Sequence, residues 1–192
     1  MILRALLFIC IVTASTRADP GISIHLTPVP DDPCAILDTE FRCADVTPSG
    51  DSSERQLAYL VVTGVSGIRS VQFGINYDPG VRVGRWIACL EGNELPQGKW
   101  PGPGSGMGLA WTGCLRTGRT DSVLVLGALE IDRGSWGRIW IEQYGPERDA
   151  SIDACRPDTT ITLWEPHHFG VARVQGRGAT CVTCRSTVGS TP

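Results

Sequence analysis

The sequence predicts an all-β fold, an antiparallel β-sandwich of about nine short strands stapled by disulfides. Three observations lead there. Most of the chain alternates apolar and polar residues with period two, the signature of half-buried strands. Gly (23) and Pro (13) are frequent enough in 192 residues to punctuate the chain and break long helices. Seven of the eight cysteines follow an N-terminal segment that reads as an export signal. The composition, 42% hydrophobic and 19% charged, supports a buried core and excludes disorder, and the length suits one domain.

The clearest strand is 70–77. Val71, Phe73, Ile75 and Tyr77 share one face, and Ser70, Gln72, Gly74 and Asn76 the other. Asp78-Pro79-Gly80 then turns the chain. Further strands are expected at 22–27, 56–63, 81–89, 108–112, 122–131, 137–144, 160–164 and 169–174. Segment 122–131 is apolar on both faces, which suits a central strand under a second layer. Short strands joined by Gly/Pro turns form sandwiches or barrels.

Residues 1–18 are expected to be a signal peptide. Arg4 gives a positive start, an apolar run from Leu6 to Val12 is too short to span a bilayer, and Ala18 supplies a small residue at the cleavage point. Cleavage there removes two Arg and no acid, so the charge moves from −3 to −5. No membrane span is expected after cleavage, and the mature chain is placed outside the cell or in a periplasm. An acidic chain without a basic patch argues against a nucleic-acid partner. Residues 19–54 read as an N-terminal strand and disulfide loop, 55–175 as the sandwich, and 176–192 as a flexible tail rich in Gly, Ser and Thr.

Export predicts oxidised cysteines. Cys34, Cys43, Cys89, Cys114, Cys155, Cys181 and Cys184 are odd in number, which leaves one for a free thiol or an intermolecular bridge. Loop length favours Cys34–Cys43. Cys89 and Cys114 each end a predicted strand and are expected to pair, leaving Cys155 for Cys181 or Cys184. Cys181-Val-Thr-Cys184 lacks the strand-to-helix setting of a redox motif, and with His167-His168 it matches no standard zinc spacing. A metal or other cofactor is not expected.

The segment 62–79, Val62-Thr-Gly-Val-Ser-Gly-Ile-Arg-Ser-Val-Gln-Phe-Gly-Ile-Asn-Tyr77-Asp78-Pro79, resembles the opening of a cohesin-type domain. There a strand ending in Tyr-Asp-Pro follows a glycine turn. The apolar strand 122–131 is similar to a later strand of that fold, and the resemblance covers 55–175. The tryptophan and cysteine pattern of Trp86, Cys89, Trp100, Trp111 and Cys114 looks more like small exported bacterial proteins with a cohesin-like or immunoglobulin-like sandwich. The resemblance implies a nine-strand sandwich related to carbohydrate-binding modules. Cohesins bind a calcium-loaded dockerin, but the chain has no Asp-x-Asp-x-Asp-Gly calcium loop of its own.

Catalytic patterns are sparse. Neither Ser66 nor Ser105 sits in Gly-x-Ser-x-Gly, and the glycines of 102–108 lack the context of a phosphate loop. Glu91 and Glu94 share one loop, a poor arrangement for two glycosidase carboxylates. His25, His167 and His168 have no nucleophile placed beside them.

The long segment 91–107 draws attention, because long loops in compact domains are often functional. Trp100 and Trp111 border it and are expected to be binding anchors, with Glu91 and Glu94 as polar partners. Trp140 lies between inward Ile139 and Ile141 and is expected to point outward, whereas Trp86 and Trp164 read as core. Exposed indoles form flat platforms for sugar rings or partner side chains. The expected function is therefore a secreted non-catalytic module that binds an extracellular protein or carbohydrate. The alternatives are a small secreted hydrolase and a structural piece of an extracellular assembly joined through the odd cysteine. Should the loop not bind, the outward face around Gln72, Asn76 and Trp140 is the next place to look.

Overall fold

The computed structural model describes residues 19–38, 41–116, 123–144, 149–155 and 158–175. The expected signal peptide, the tail 176–192, Cys10, Cys181 and Cys184 lie outside them. The fold is all-β, with twelve strands among the described residues rather than nine. They are β1 (Gly21–Pro28), β2 (Ser49–Gly50), β3 (Gln56–Thr63), β4 (Gly67–Tyr77), β5 (Val83–Ala88) and β6 (Asn93–Gln97). β7 (Ser105–Arg116), β8 (Leu124–Ile131), β9 (Gly137–Glu142), β10 (Ser151–Cys155), β11 (Asp158–Thr162) and β12 (Val171–Val174) follow. The three additional strands are β2, β6 and β10. Pro96 within β6 hides that strand from a hydrophobic pattern, and β10 is only five residues long with just Ile152 and Ala154 buried.

Two sheets pack face to face. The smaller has the order β1-β3-β8-β5, all antiparallel. The larger is organised around β4. β7 runs along one edge of β4, and β6 lies beyond β7. The other edge is shared end to end: β9 pairs with Gly74–Tyr77 and β10 with the Ile68–Gln72 part. β9 and β10 thus act as one long strand interrupted at Tyr144 and Asp149, which exchange backbone hydrogen bonds of 3.0 and 3.1 Å. β12 flanks β9, β2 pairs parallel with β12, and β11 flanks β10.

The alternation in β4 works as the sequence predicts. Val71, Phe73 and Ile75 are buried between the sheets with Ile24, Leu60, Leu126 and Ile139. Each such large apolar side chain contributes roughly 1.5–3 kcal/mol on burial. β8 is central and buried on both faces, as its sequence requires, because a second apolar layer covers the outer face of the smaller sheet. There Leu57, Tyr59, Val61 and Val125 meet Ile36, Phe41 and Val46 from the segment that precedes β3. The Tyr59 hydroxyl donates to the Pro33 carbonyl at 2.5 Å and fixes that layer in place.

The disulfides differ from the expected pairs. Cys34 bonds Cys89, and Cys114 bonds Cys155, with Cα separations of 5.3 and 6.0 Å. Cys43 is disulfide-bonded too. The Cys34–Cys43 and Cys89–Cys114 pairs are therefore incorrect, as is a Cys155 bridge to the C-terminal cysteines. Loop length misled because the sandwich brings distant segments together. Cys34 belongs to the outer layer, which covers the end of β5 where Cys89 follows. Cys114 sits in a bulge of β7, and its sulfur passes over Gly67 of β4 to reach β10. A Cβ at Gly67 would lie 2.9 Å from the Cys114 sulfur, so only glycine leaves room.

Candidate binding face

The four loop residues expected to form one site separate into two places. The segment 91–107 is largely a β-hairpin, with β6 paired to Gly106–Ala110 of β7. Trp100, at its tip, is wedged edge-on between Phe73 and Trp86, at centroid distances of 5.9 and 5.6 Å. The Trp86 indole N–H in turn donates to Glu94 at 3.0 Å. Trp100 and Glu94 therefore join a structural aromatic cluster at the margin of the core.

Trp111 and Glu91 lie together elsewhere. Between Ile68/Leu115 and Ser70/Ala110 the β4–β7 register jumps, so Trp111–Cys114 bulges out against a single β4 residue. Beside this bulge lies an open groove of about 460 Å³, lined by Glu91, Asn93, Trp111, Thr112 and Leu115 among others. The Trp111 ring packs over Gly92.

The outward face of the larger sheet carries a third arrangement, at Trp140. Its ring is half-buried and points away from Ile139 and Ile141, which are inside. Trp140 faces Asn76 across the β4–β9 ladder. Its indole N–H (3.0 Å) and the Asn76 amide (3.4 Å) both donate to one oxygen of Glu142. Arg138, two residues earlier on the same face, lies over the Trp140 ring at 5.5 Å from the centroid. Arg138 also grips Asp78, at the end of β4, through its backbone N–H (2.9 Å), Nε (3.2 Å) and Nη2 (3.2 Å). These Arg138 hydrogen bonds hold the Asp78 carboxyl below its ordinary pKa. The Tyr-Asp-Pro turn thus has a local purpose: its Asp positions an arginine on the neighbouring strand.

This array continues to the end of the sheet. Asp78, Trp136, Gly137, Arg138, Arg173 and Gln175 line a groove of about 400 Å³. Trp136, 63% exposed, rests against Gly80 of the Asp78 turn. Sequence reading missed Trp136, because Ser135-Trp136 falls just before β9 and carries no period. Trp164, expected in the core, is 66% exposed; its neighbour Leu163 is the buried residue.

The remaining sequence candidates are dispersed. His25 stacks on Tyr59 and meets Phe41 edge-on, and its Nδ1 accepts the Thr47 N–H at 2.8 Å. His167 and His168 contact each other on a short 3-10 turn. Among the described residues no three His, Cys, Asp or Glu side chains form a metal-binding group, and no helix is long and apolar enough to cross a membrane.

No protein-family model and no curated protein matches the chain. Among solved structures it is similar to a cohesin module from a family 33 glycoside hydrolase of Clostridium perfringens. The identity is 10%, the match covers 81% of this chain and 95% of that one, and the TM-score is 0.49. It is also similar to the seventh ScaB type I cohesin of Pseudobacteroides cellulosolvens. There the identity is 8%, the coverage 82% and 94%, and the TM-score 0.38.

Proposed function

We propose that the chain is an exported, non-catalytic binding module that recognises an extracellular protein or glycan through the outward face of its larger sheet. The observation that carries this reading is the array of Asn76, Trp140, Glu142, Arg138 and Asp78. An indole, a guanidinium, an amide and two carboxylates are interlinked on strands, with their outer surfaces open to solvent. Rigid strands fix such groups before a partner arrives, which lowers the ordering cost of binding. The groove at Trp111 and Glu91 supports a second contact area, because it unites two of the loop residues that the sequence singles out.

Screening residues 19–192 on glycan and protein arrays tests this reading. The expected result is a ligand whose affinity falls about 30-fold, or about 2 kcal/mol, in Trp140→Ala with an unchanged fold. Ligand binding that both Trp140→Ala and Arg138→Ala leave intact overturns it.

A further inference from the structure

We infer that the groove at the end of β9 and β12 is a subsite for an acidic sugar, a pyranose ring bearing a carboxylate. The inference rests on the binding-module reading and gives that module a ligand chemistry. Three features of the groove converge on it.

First, Arg138 and Arg173 occupy directly opposed positions on β9 and β12. Like charges at such positions destabilise a sheet. The single carboxylate between them, Asp78, accepts its hydrogen bonds from Arg138, while Arg173 feels it only as a longer-range attraction. Among the described residues no side chain hydrogen-bonds the Arg173 guanidinium. The groove thus holds two guanidiniums and one carboxylate, a local excess of one positive charge on a chain of net charge −3. A ligand carboxylate supplies the missing counter-charge, and a guanidinium fork suits it geometrically.

Second, Trp136 offers a broad apolar surface at the rim of that charge. The ring is backed by the main chain at Gly80, where a Cβ would come within 2.5 Å of it. A flat, exposed and braced indole stacks on the C–H face of a sugar ring. Gln175, which also lines the groove, adds an amide that both donates and accepts, which suits hydroxyl groups.

Third, the size fits. A groove of about 400 Å³ falls within the range of sites for small ligands, roughly 300–1,000 Å³. One or two sugar rings fill it, with the rest of a polysaccharide continuing along the face toward Trp140.

The test titrates residues 19–192 with the trisaccharide of galacturonic acid and with its neutral galactose counterpart. Calorimetry gives the affinities, and NMR follows the Trp136 indole N–H. The acidic trisaccharide is expected to bind at least about 10-fold more tightly than the neutral one and to shift the Trp136 signal. Trp136→Ala and Arg173→Gln are each expected to weaken it about 10-fold or more, with the wild-type melting temperature retained. Equal affinity for both sugars overturns the inference. So does a Trp136 signal that the acidic sugar leaves unmoved, whatever the variants do, or a groove that takes an acidic peptide and not the sugar. If neither sugar binds while array ligands still depend on Trp140, the subsite fails and the binding-module reading stands.

Discussion

The indole N–H of Trp86 donates to the Glu94 carboxylate at 3.0 Å and so joins the two sheets of the sandwich. Trp86 belongs to β5, an edge of the smaller sheet, and Glu94 to β6, an edge of the larger one. Trp100 closes the cluster by resting on Trp86 and Phe73.

Trp100→Ala therefore acts on stability. The ring is half-buried and packed against the core, so the loss should be about 2–3 kcal/mol, somewhat below that of a fully buried aromatic. Urea unfolding measures it. Unchanged stability would mean that the hairpin tip is held by other contacts.

The covalent frame makes a second prediction. Non-reducing peptide mapping should recover Cys34 linked to Cys89 and Cys114 linked to Cys155. Replacing Cys114 and Cys155 together by serine should cost about 2–4 kcal/mol, because the bridge closes a long segment of chain.

Gly137 is irreplaceable for two reasons. Its φ of +121° lies in a region that side chains avoid, and a Cβ there would come within 2.8 Å of the Asp78 Cβ. Gly137→Ala should destabilise the fold by about 2 kcal/mol and disturb the Asp78–Arg138 pairing. Thermal unfolding and the Arg138 side-chain NMR signals report both effects.

His25 makes stability depend on pH. Burial lowers its pKa below 6.5, although nearby Asp45 opposes the shift. The unfolded chain therefore takes up a proton at a higher pH than the folded one. The stability linked to neutral His25 is full above about pH 6.5 and is lost as pH falls through the lower folded value. Protonation also removes the lone pair that accepts the Thr47 N–H. Urea midpoints should fall between pH 7.5 and pH 5, and the fall should shrink in His25→Gln. The carboxyls of Asp51 and Asp78 also have lowered pKa values, but they act in a separate window below about pH 4.

Much of the fold is legible in the sequence, for physical reasons. The alternation of 70–77 places Phe73 and Ile75 inside and Asn76 outside, and the doubly apolar 122–131 is central because apolar residues on both faces need two cover layers. The outward direction of Trp140 follows from its neighbours. Other features arise only in three dimensions. A hairpin containing Pro96 looks like a loop. The bulge at Trp111–Cys114 appears only as a register jump between strands. Cysteine pairing depends on which segments the sandwich stacks, which loop length does not encode. Trp136 takes its place from a turn more than fifty residues earlier in the chain, where Gly80 gives its ring room.

The break between β9 and β10 has a use in engineering. Tyr144 and Asp149 hold each other through two backbone hydrogen bonds, while β9 and β10 on either side keep their register against β4. A peptide spliced between Tyr144 and Asp149 starts and ends at a clamped pair. The entropy of such an excursion grows slowly with its length, by roughly 0.6 kcal/mol for each doubling. An affinity tag or a reporter placed there leaves the sandwich order undisturbed. The Tyr144 side chain packs against Gly74 and Gly106 of the larger sheet, so the residue that anchors the insert lies on the face proposed to bind a ligand. A fluorophore at that point would read occupancy directly.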